Sequence, residues 1–250
     1  MILFWWDFLP RIFGLILKIK YRLRLFGRQN IPTSGPLIYI ANHQSFLDLP
    51  AIGSLIIDRP FTPIARSGLF DSPLLARFML GYRTIAVDQE NTGPSTIKDA
   101  LNELKAGRCV LVFPEGERTM DGALNEFARG AFVIIKRAKV PVVPIAVEGV
   151  FDAWPRNGKA QRRGWIAVKA GKPLSPEESV EGGSDASLER LKRKIETMRL
   201  ELRAKIRKQS GGQSPKPGPA DHAYWEKEPP TLKLAASTRS DSECTPRATG

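Results

Sequence analysis

The sequence predicts an α/β fold in which a sheet of short strands is flanked by helices, behind an amino-terminal helical segment suited to a membrane surface. Three observations carry that expectation. Between Pro32 and Pro173 short apolar runs alternate with amphipathic ones, as strands interleaved with helices do. The run Cys109-Val110-Leu111-Val112-Phe113 is apolar throughout, which suits a strand buried on both faces. The first 26 residues combine bulky apolar side chains with cations and a single acid, Asp7.

A chain of 250 residues, 42% hydrophobic and 26% charged, is long enough to bury the core of one or two domains. Its composition divides it into an amino-terminal segment (1–30), an α/β domain (31–209) and a tail (210–250). The net charge of +12 points to an anionic partner: a lipid surface, a phosphorylated substrate or nucleic acid. No recognition helix or RNA-binding aromatic pattern accompanies that charge, so nucleic acid is not expected. Two cysteines, Cys109 and Cys244, make no disulfide framework and suggest a reducing compartment. With His43 and His222 the only histidines and no paired cysteines, no metal site is expected.

Taken in order, the amino-terminal segment places Ile12, Leu15, Ile16, Ile19, Leu23 and Phe26 on one helical stripe. Arg11, Lys18, Lys20, Arg22, Arg24 and Arg28 lie outside it. Asp7, Pro10 and Arg11 interrupt the run before it reaches the ~20 apolar residues that span a bilayer. The cations follow the apolar core, the reverse of a cleavable signal. A helix lying in an anionic interface is the favoured reading. Packing of the stripe on the protein's own core and a tilted span are the alternatives.

Strands are expected at Leu37–Ile40, Phe61–Ala65, Thr84–Val87, Cys109–Phe113, Val142–Val147 and Trp165–Lys169, and helices at Ser72–Leu80, Ser95–Ala106 and Gly130–Ala138. Leu188, Leu191, Ile195, Met198, Leu202 and Ile206 mark a last helix, with Ser184 or Asp185 as its N-cap. Nine Lys or Arg between Arg190 and Lys208 occupy its other faces. From Gly211 six prolines and many Ser and Thr replace any apolar period, and the tail, with His222 and Cys244, reads as disordered.

Two stretches carry candidate chemistry. In Asn42-His43-Gln44-Ser45-Phe46-Leu47-Asp48 a histidine precedes an aspartate by five residues, just past an apolar strand. Histidine is the side chain suited to take a proton at neutral pH, and a carboxylate on its Nδ1–H fixes the tautomer. A histidine that only caps a turn has the same look. Phe113-Pro114-Glu115-Gly116-Glu117-Arg118-Thr119 follows the apolar strand, where α/β sheets collect ligands. Gly116 permits a tight turn, Arg118 offers a planar fork for phosphate, and Glu115 would hold that arginine or bind a hydroxyl. Pro141 and Pro144 shape the strand at Val142–Val147, since proline inside a strand belongs at an edge or beside a bulge. Arg66 follows another strand, and Cys109, in the apolar run, is read as a small hydrophobe. Arg156, Lys159, Arg162 and Arg163 form a basic patch, either a solvated loop or a contact for phosphates.

In order and spacing these blocks resemble those of the glycerolipid acyltransferases, the family of 1-acylglycerol-3-phosphate acyltransferase, over roughly residues 1–205. Asn42 to Asp48 is similar to the N-H-x-x-x-x-D block, Phe113 to Thr119 to F-P-E-G-x-R-[ST], and Val140 to Val147 to the final proline block. The resemblance implies a central mixed sheet flanked by helices. It implies His43 as general base, Asp48 as its orienter, Glu115, Gly116 and Arg118 at the acceptor's glycerol phosphate, Arg66 as a second phosphate contact, and Pro144 shaping the donor or acceptor site. One block departs: Gln89 stands where the family carries a phosphate-binding arginine, which removes a contact of about 1.5–3 kcal/mol unless Arg83 or Arg66 replaces it.

The expected activity is therefore acyl transfer from acyl-CoA or acyl carrier protein to the sn-2 hydroxyl of 1-acylglycerol-3-phosphate, giving phosphatidic acid, with no further cofactor. The expected setting is the cytoplasmic face of the inner or plasma membrane. Another lysolipid acceptor, such as a lyso-ornithine lipid, and a non-catalytic basic peripheral membrane protein are the alternatives.

Overall fold

A computed structural model describes residues 2–66, 84–87 and 94–226. Among the described residues seven strands form one sheet: β1 (Arg24–Phe26), β2 (Ile38–Ala41), β3 (Phe61–Arg66), β4 (Ile85–Val87), β5 (Cys109–Val112), β6 (Val142–Glu148) and β7 (Ala167–Ala170). Their order is β1-β7-β6-β2-β5-β3-β4, with every neighbouring pair parallel except β6 and β7. The sheet is mixed, and the six expected strands are all present within two residues of their expected ends. The helix expected at Ser72–Leu80 and the positions Arg83 and Gln89 lie outside the described residues.

The pleat sorts β2 onto two cores. Tyr39 and Ala41 face one side, with Leu17 and Tyr21 of helix α1 (Ile2–Tyr21) and Ala51, Ile52 and Leu55 of α2 (Asp48–Leu55). Ile38 and Ile40 face the other, with α3 (Pro94–Lys105), α4 (Arg129–Ala138) and the last helix. Helices thus cover both faces of a sheet whose central strands are fully buried, as their near-continuous apolar runs require.

Four expectations change. The amino-terminal helix stops at Tyr21, because Arg22 takes a left-handed conformation (φ 45°) with its guanidinium over the Trp165 ring. Leu23 and Phe26 therefore leave the stripe, and Arg24–Phe26 becomes an edge strand on β7. A helix not expected, α2, follows His43, and two short ones follow β6 and β7: α5 (Val150–Ala153) and α6 (Pro176–Val180), the latter opened by a Ser175/Glu178 capping box. The final helix α7 (Gly183–Gln209) starts from Gly182, not from a Ser184 or Asp185 cap. Pro144 lies in an interior strand, but beside an irregularity: between the pairs Ile145–Ala170 and Val142–Leu174 the second chain carries one residue more.

Residues 211–226, expected to be disordered, pack on the domain. Ala220 and Ala223 are buried, and Asp221 ion-pairs with Arg203 and Arg207 of α7, each at 2.6 Å. Against the burial that opposes its charge, Arg203, the Gly218 N–H and Arg207 pull the Asp221 carboxyl down to about 2. The α7 cations are not all solvated either. Arg199 is fully buried and binds Glu148 at 2.9 Å, Glu196 at 2.7 Å and the Ala220 carbonyl at 2.8 Å.

Candidate active site

β2 and β5 lie side by side and parallel, and the helices that follow them depart to opposite faces: α2 to the α1 side, α4 to the α7 side. Open α/β sheets bind ligands in the crevice beyond the strand ends at such a switch point. Both sequence-derived loops meet there.

His43 sits two residues past β2. The buried Asn42 side chain pins this exit to β6, donating to the Val147 carbonyl at 2.9 Å and accepting its N–H at 2.8 Å. The chain then turns into α2, whose first residue is Asp48. Asp48 Oδ2 lies 2.6 Å from His43 Nδ1 and accepts the backbone N–H groups of Gln44 (2.7 Å) and Ser45 (2.9 Å). Its side chain is fully buried while that of His43 is 23% exposed. A carboxylate at a helix amino terminus is well placed against the helix dipole. Because Asp48 can only accept, Nδ1 carries the proton and Nε2 keeps its lone pair. The ring is held flat against Phe113, with centroids 4.2 Å apart. This arrangement suits a general base whose imidazolium is stabilised as it forms.

The Glu115 carboxylate accepts the N–H of His43 itself at 2.7 Å on one oxygen and that of Asn125 at 2.9 Å on the other. It joins the two loops, and does not hold Arg118 as the sequence reading allowed. Burial pushes its carboxyl up to about 8, although the N–H groups of Asn125 and His43 pull the other way. The Thr119 N–H adds a second tie, to the His43 carbonyl at 2.9 Å.

Gly116 adopts φ 71°, a left-handed turn that costs glycine little, and its N–H closes that turn on the Phe113 carbonyl. The Arg118 guanidinium lies over the Phe46 ring, 3.7 Å from its centroid. One member of the basic patch joins this loop: Arg156 pairs with Glu117 at 2.8 Å and donates to the Arg118 carbonyl.

The structure thus brings His43, Asp48, Glu115, Gly116 and Arg118 to one crevice. Arg66 ends β3, at the same edge of the sheet, and its side chain lies outside the described residues. Pro144 is not brought to the crevice. It pairs with Ile40, inside the sheet, and neighbours Gly171 and Met198. Phe113, Thr119, Asn42 and Phe46 stood inside the recognised blocks without a role. Their contacts run between segments that no local spacing relates.

A model of the acyltransferase family matches residues 22–148, half of the chain. Among curated proteins, the chain is 32% identical over 171 residues to a 1-acyl-sn-glycerol-3-phosphate acyltransferase of Chlamydomonas reinhardtii, covering 67% of this chain and 51% of that one. It is 28% identical over 170 residues to the 1-acyl-sn-glycerol-3-phosphate acyltransferase of Bacillus subtilis, covering 68% and 82%. The matches span about half the length of the algal protein and of its chloroplastic Arabidopsis thaliana counterpart. In fold, the chain superposes on the crystal structure of the 1-acyl-sn-glycerophosphate acyltransferase of Thermotoga maritima with a TM-score of 0.66 and 24% identity, covering 80% and 78%.

Proposed function

The chain belongs to the acyltransferase family, and on that premise we propose that it moves a fatty acyl chain from a thioester donor to the sn-2 hydroxyl of 1-acylglycerol-3-phosphate. The observation that carries this reading is the His43–Asp48 pair, 2.6 Å apart at the carboxyl end of a central strand. Relatives named for that acceptor support the choice of substrate.

On this reading His43 Nε2 takes the acceptor's hydroxyl proton as the oxygen attacks the thioester carbonyl. The tetrahedral adduct collapses, the carbon–sulfur bond breaks, and the departing thiolate recovers the proton from the imidazolium. The products are phosphatidic acid and a free thiol on CoA or acyl carrier protein, and no acyl-enzyme forms. Asp48 stabilises the imidazolium between the two proton transfers. Arg118 and the Gly116 turn take the acceptor's phosphate, with Arg66 as a second contact. Glu115 sets the distance between base and phosphate loop. Pro144 acts through the sheet.

Both substrates are amphiphiles, which calls for a membrane-facing site at the cytoplasmic surface, where acyl donors reside. Among the described residues no helix is long and apolar enough to cross a membrane. The exposed apolar side chains of α1, Phe8, Ile12, Leu15, Ile16 and Ile19, support an interfacial attachment.

The test is a panel of lyso-acceptors, including 1-acylglycerol-3-phosphate and a lyso-ornithine lipid, assayed with one acyl-CoA and one acyl carrier protein donor. Preferred turnover of 1-acylglycerol-3-phosphate, abolished in His43→Ala with membrane binding retained, supports the proposal. Full activity of His43→Ala, or no turnover with any pair, overturns it.

A further inference from the structure

Arg118 is held at both its ends. Its carbonyl accepts from the Arg156 guanidinium at 3.0 Å, and the next residue, Thr119, gives its N–H to the His43 carbonyl at 2.9 Å. At the far end of the side chain, the guanidinium carbon lies 3.7 Å from the centre of the Phe46 ring. Phe46 stands between His43 and Asp48, so the ring under the fork belongs to the loop that carries the base. That ring is 39% exposed, which is not the setting of a core side chain. Its other aromatic neighbour is Trp154, with centroids 5.7 Å apart and planes tilted by 59°. Hydrogen bonds on either side of Phe46 fix this pair. The Ser45 hydroxyl donates to the Trp154 carbonyl at 2.7 Å and accepts the Leu47 N–H at 3.2 Å.

We propose that Phe46, backed by Trp154, is a positioning residue for acyl transfer. Its ring sets the direction of the Arg118 fork, and so where the acceptor's phosphate sits relative to His43 Nε2. The inference rests on the assignment of Arg118 to that phosphate. A guanidinium meets an aromatic face through its own flat face, while its N–H groups lie in its plane. The ring therefore holds the fork without taking any donor that a phosphate needs. It also covers one side of the cation from water, which strengthens the attraction for an anion. An arginine already held in one direction loses less side-chain freedom when the ligand arrives. The contact joins the two motif loops beside the ties of Glu115 and Thr119 to His43, and it does so through the side chain that meets the acceptor.

The test is steady-state kinetics of the full chain and four variants. Phe46→Leu keeps an apolar contact but removes the aromatic face, and Phe46→Tyr keeps both. Arg118→Leu is measured alone and combined with Phe46→Leu. Phe46→Leu should raise the KM for 1-acylglycerol-3-phosphate about 3- to 30-fold, with kcat and the KM for the acyl donor within about threefold of the parent. Phe46→Tyr should keep the parent's acceptor KM. On the Arg118→Leu background, Phe46→Leu should add nothing further, because the ring acts through the guanidinium. An unchanged acceptor KM in Phe46→Leu overturns the proposal, as do effects that multiply in the double variant. A fall in kcat, or equal rises in both KM values, overturns it too, since either marks a general role in shaping the catalytic loop. The premise is read separately. If Arg118→Leu leaves the acceptor KM unchanged, or the parent turns over no acceptor, the reading of the site fails and the platform with it. A rise in Arg118→Leu without one in Phe46→Leu sinks the platform alone.

Discussion

The carboxylate of Glu115 accepts the backbone N–H of His43 at 2.7 Å, so the loop after β5 holds the residue proposed as base by its main chain. Glu115→Gln places an amide NH2 against one of two backbone N–H groups and should cost about 1–3 kcal/mol. The parent should also show a pH dependence that the variant lacks. Folded, Glu115 keeps its proton up to about 8; unfolded, it releases it near its ordinary value of 4.5. Between those values the folded state binds more protons, so rising pH favours unfolding. Urea midpoints at pH 5, 6.5 and 8 should fall more steeply for the parent than for Glu115→Gln. Parallel declines would contradict this.

Asp48 fixes which nitrogen of His43 carries the proton. Asp48→Asn can set its carbonyl oxygen where Oδ2 accepts all three N–H groups, but it brings no negative charge to stabilise the imidazolium. Turnover should drop by about 10²–10⁴-fold, with a folded chain by circular dichroism. Activity within threefold of the parent would remove Asp48 from the mechanism.

Arg118, stacked on Phe46, is assigned to the acceptor's phosphate. Arg118→Leu should raise the KM for 1-acylglycerol-3-phosphate about 10- to 100-fold, the loss of one charge-assisted hydrogen bond of about 1.5–3 kcal/mol. The KM for the acyl donor should hardly move. Equal rises for both substrates would point to loop damage instead.

Arg199 is buried between Glu148 and Glu196. Arg199→Met strands the buried Glu196 carboxylate, leaves Glu148 to Arg203 alone, and should destabilise by about 3–5 kcal/mol. Adding Glu196→Gln should recover part of that loss. Denaturant unfolding of the single and double variants measures both.

Period and composition made the sheet legible, because the central strands are buried on both faces and a run such as Cys109–Phe113 has no other comfortable place. The motif loops were legible for the same reason that they work: each lies directly past a strand end. What stayed hidden is tertiary. The stripe on α1 was visible, but periodicity does not say which side meets the domain, and the buried side proved to be Pro10, Leu17 and Tyr21. Arg199 looked like any solvated helix cation, since its partners Glu148 and Ala220 lie 51 and 21 residues away. Asp48 as the start of a helix was missed because Leu47 offers no capping oxygen and Pro50 reads as a turn.

The Asp221 clasp changes where the domain ends. Composition suggests cutting the chain at 210, after the last helix. A protein shortened there would keep Arg203 and Arg207 but lose the carboxylate that both bind, and Arg199 would lose the Ala220 carbonyl. Arg203 also grips Glu148, whose second oxygen lies 3.5 Å from the amide of Gln44, the residue after the base. The seventeen residues from Ser210 to Glu226 are thus the outermost link of a chain of contacts reaching the catalytic loop, and the smallest autonomous folding unit extends through them.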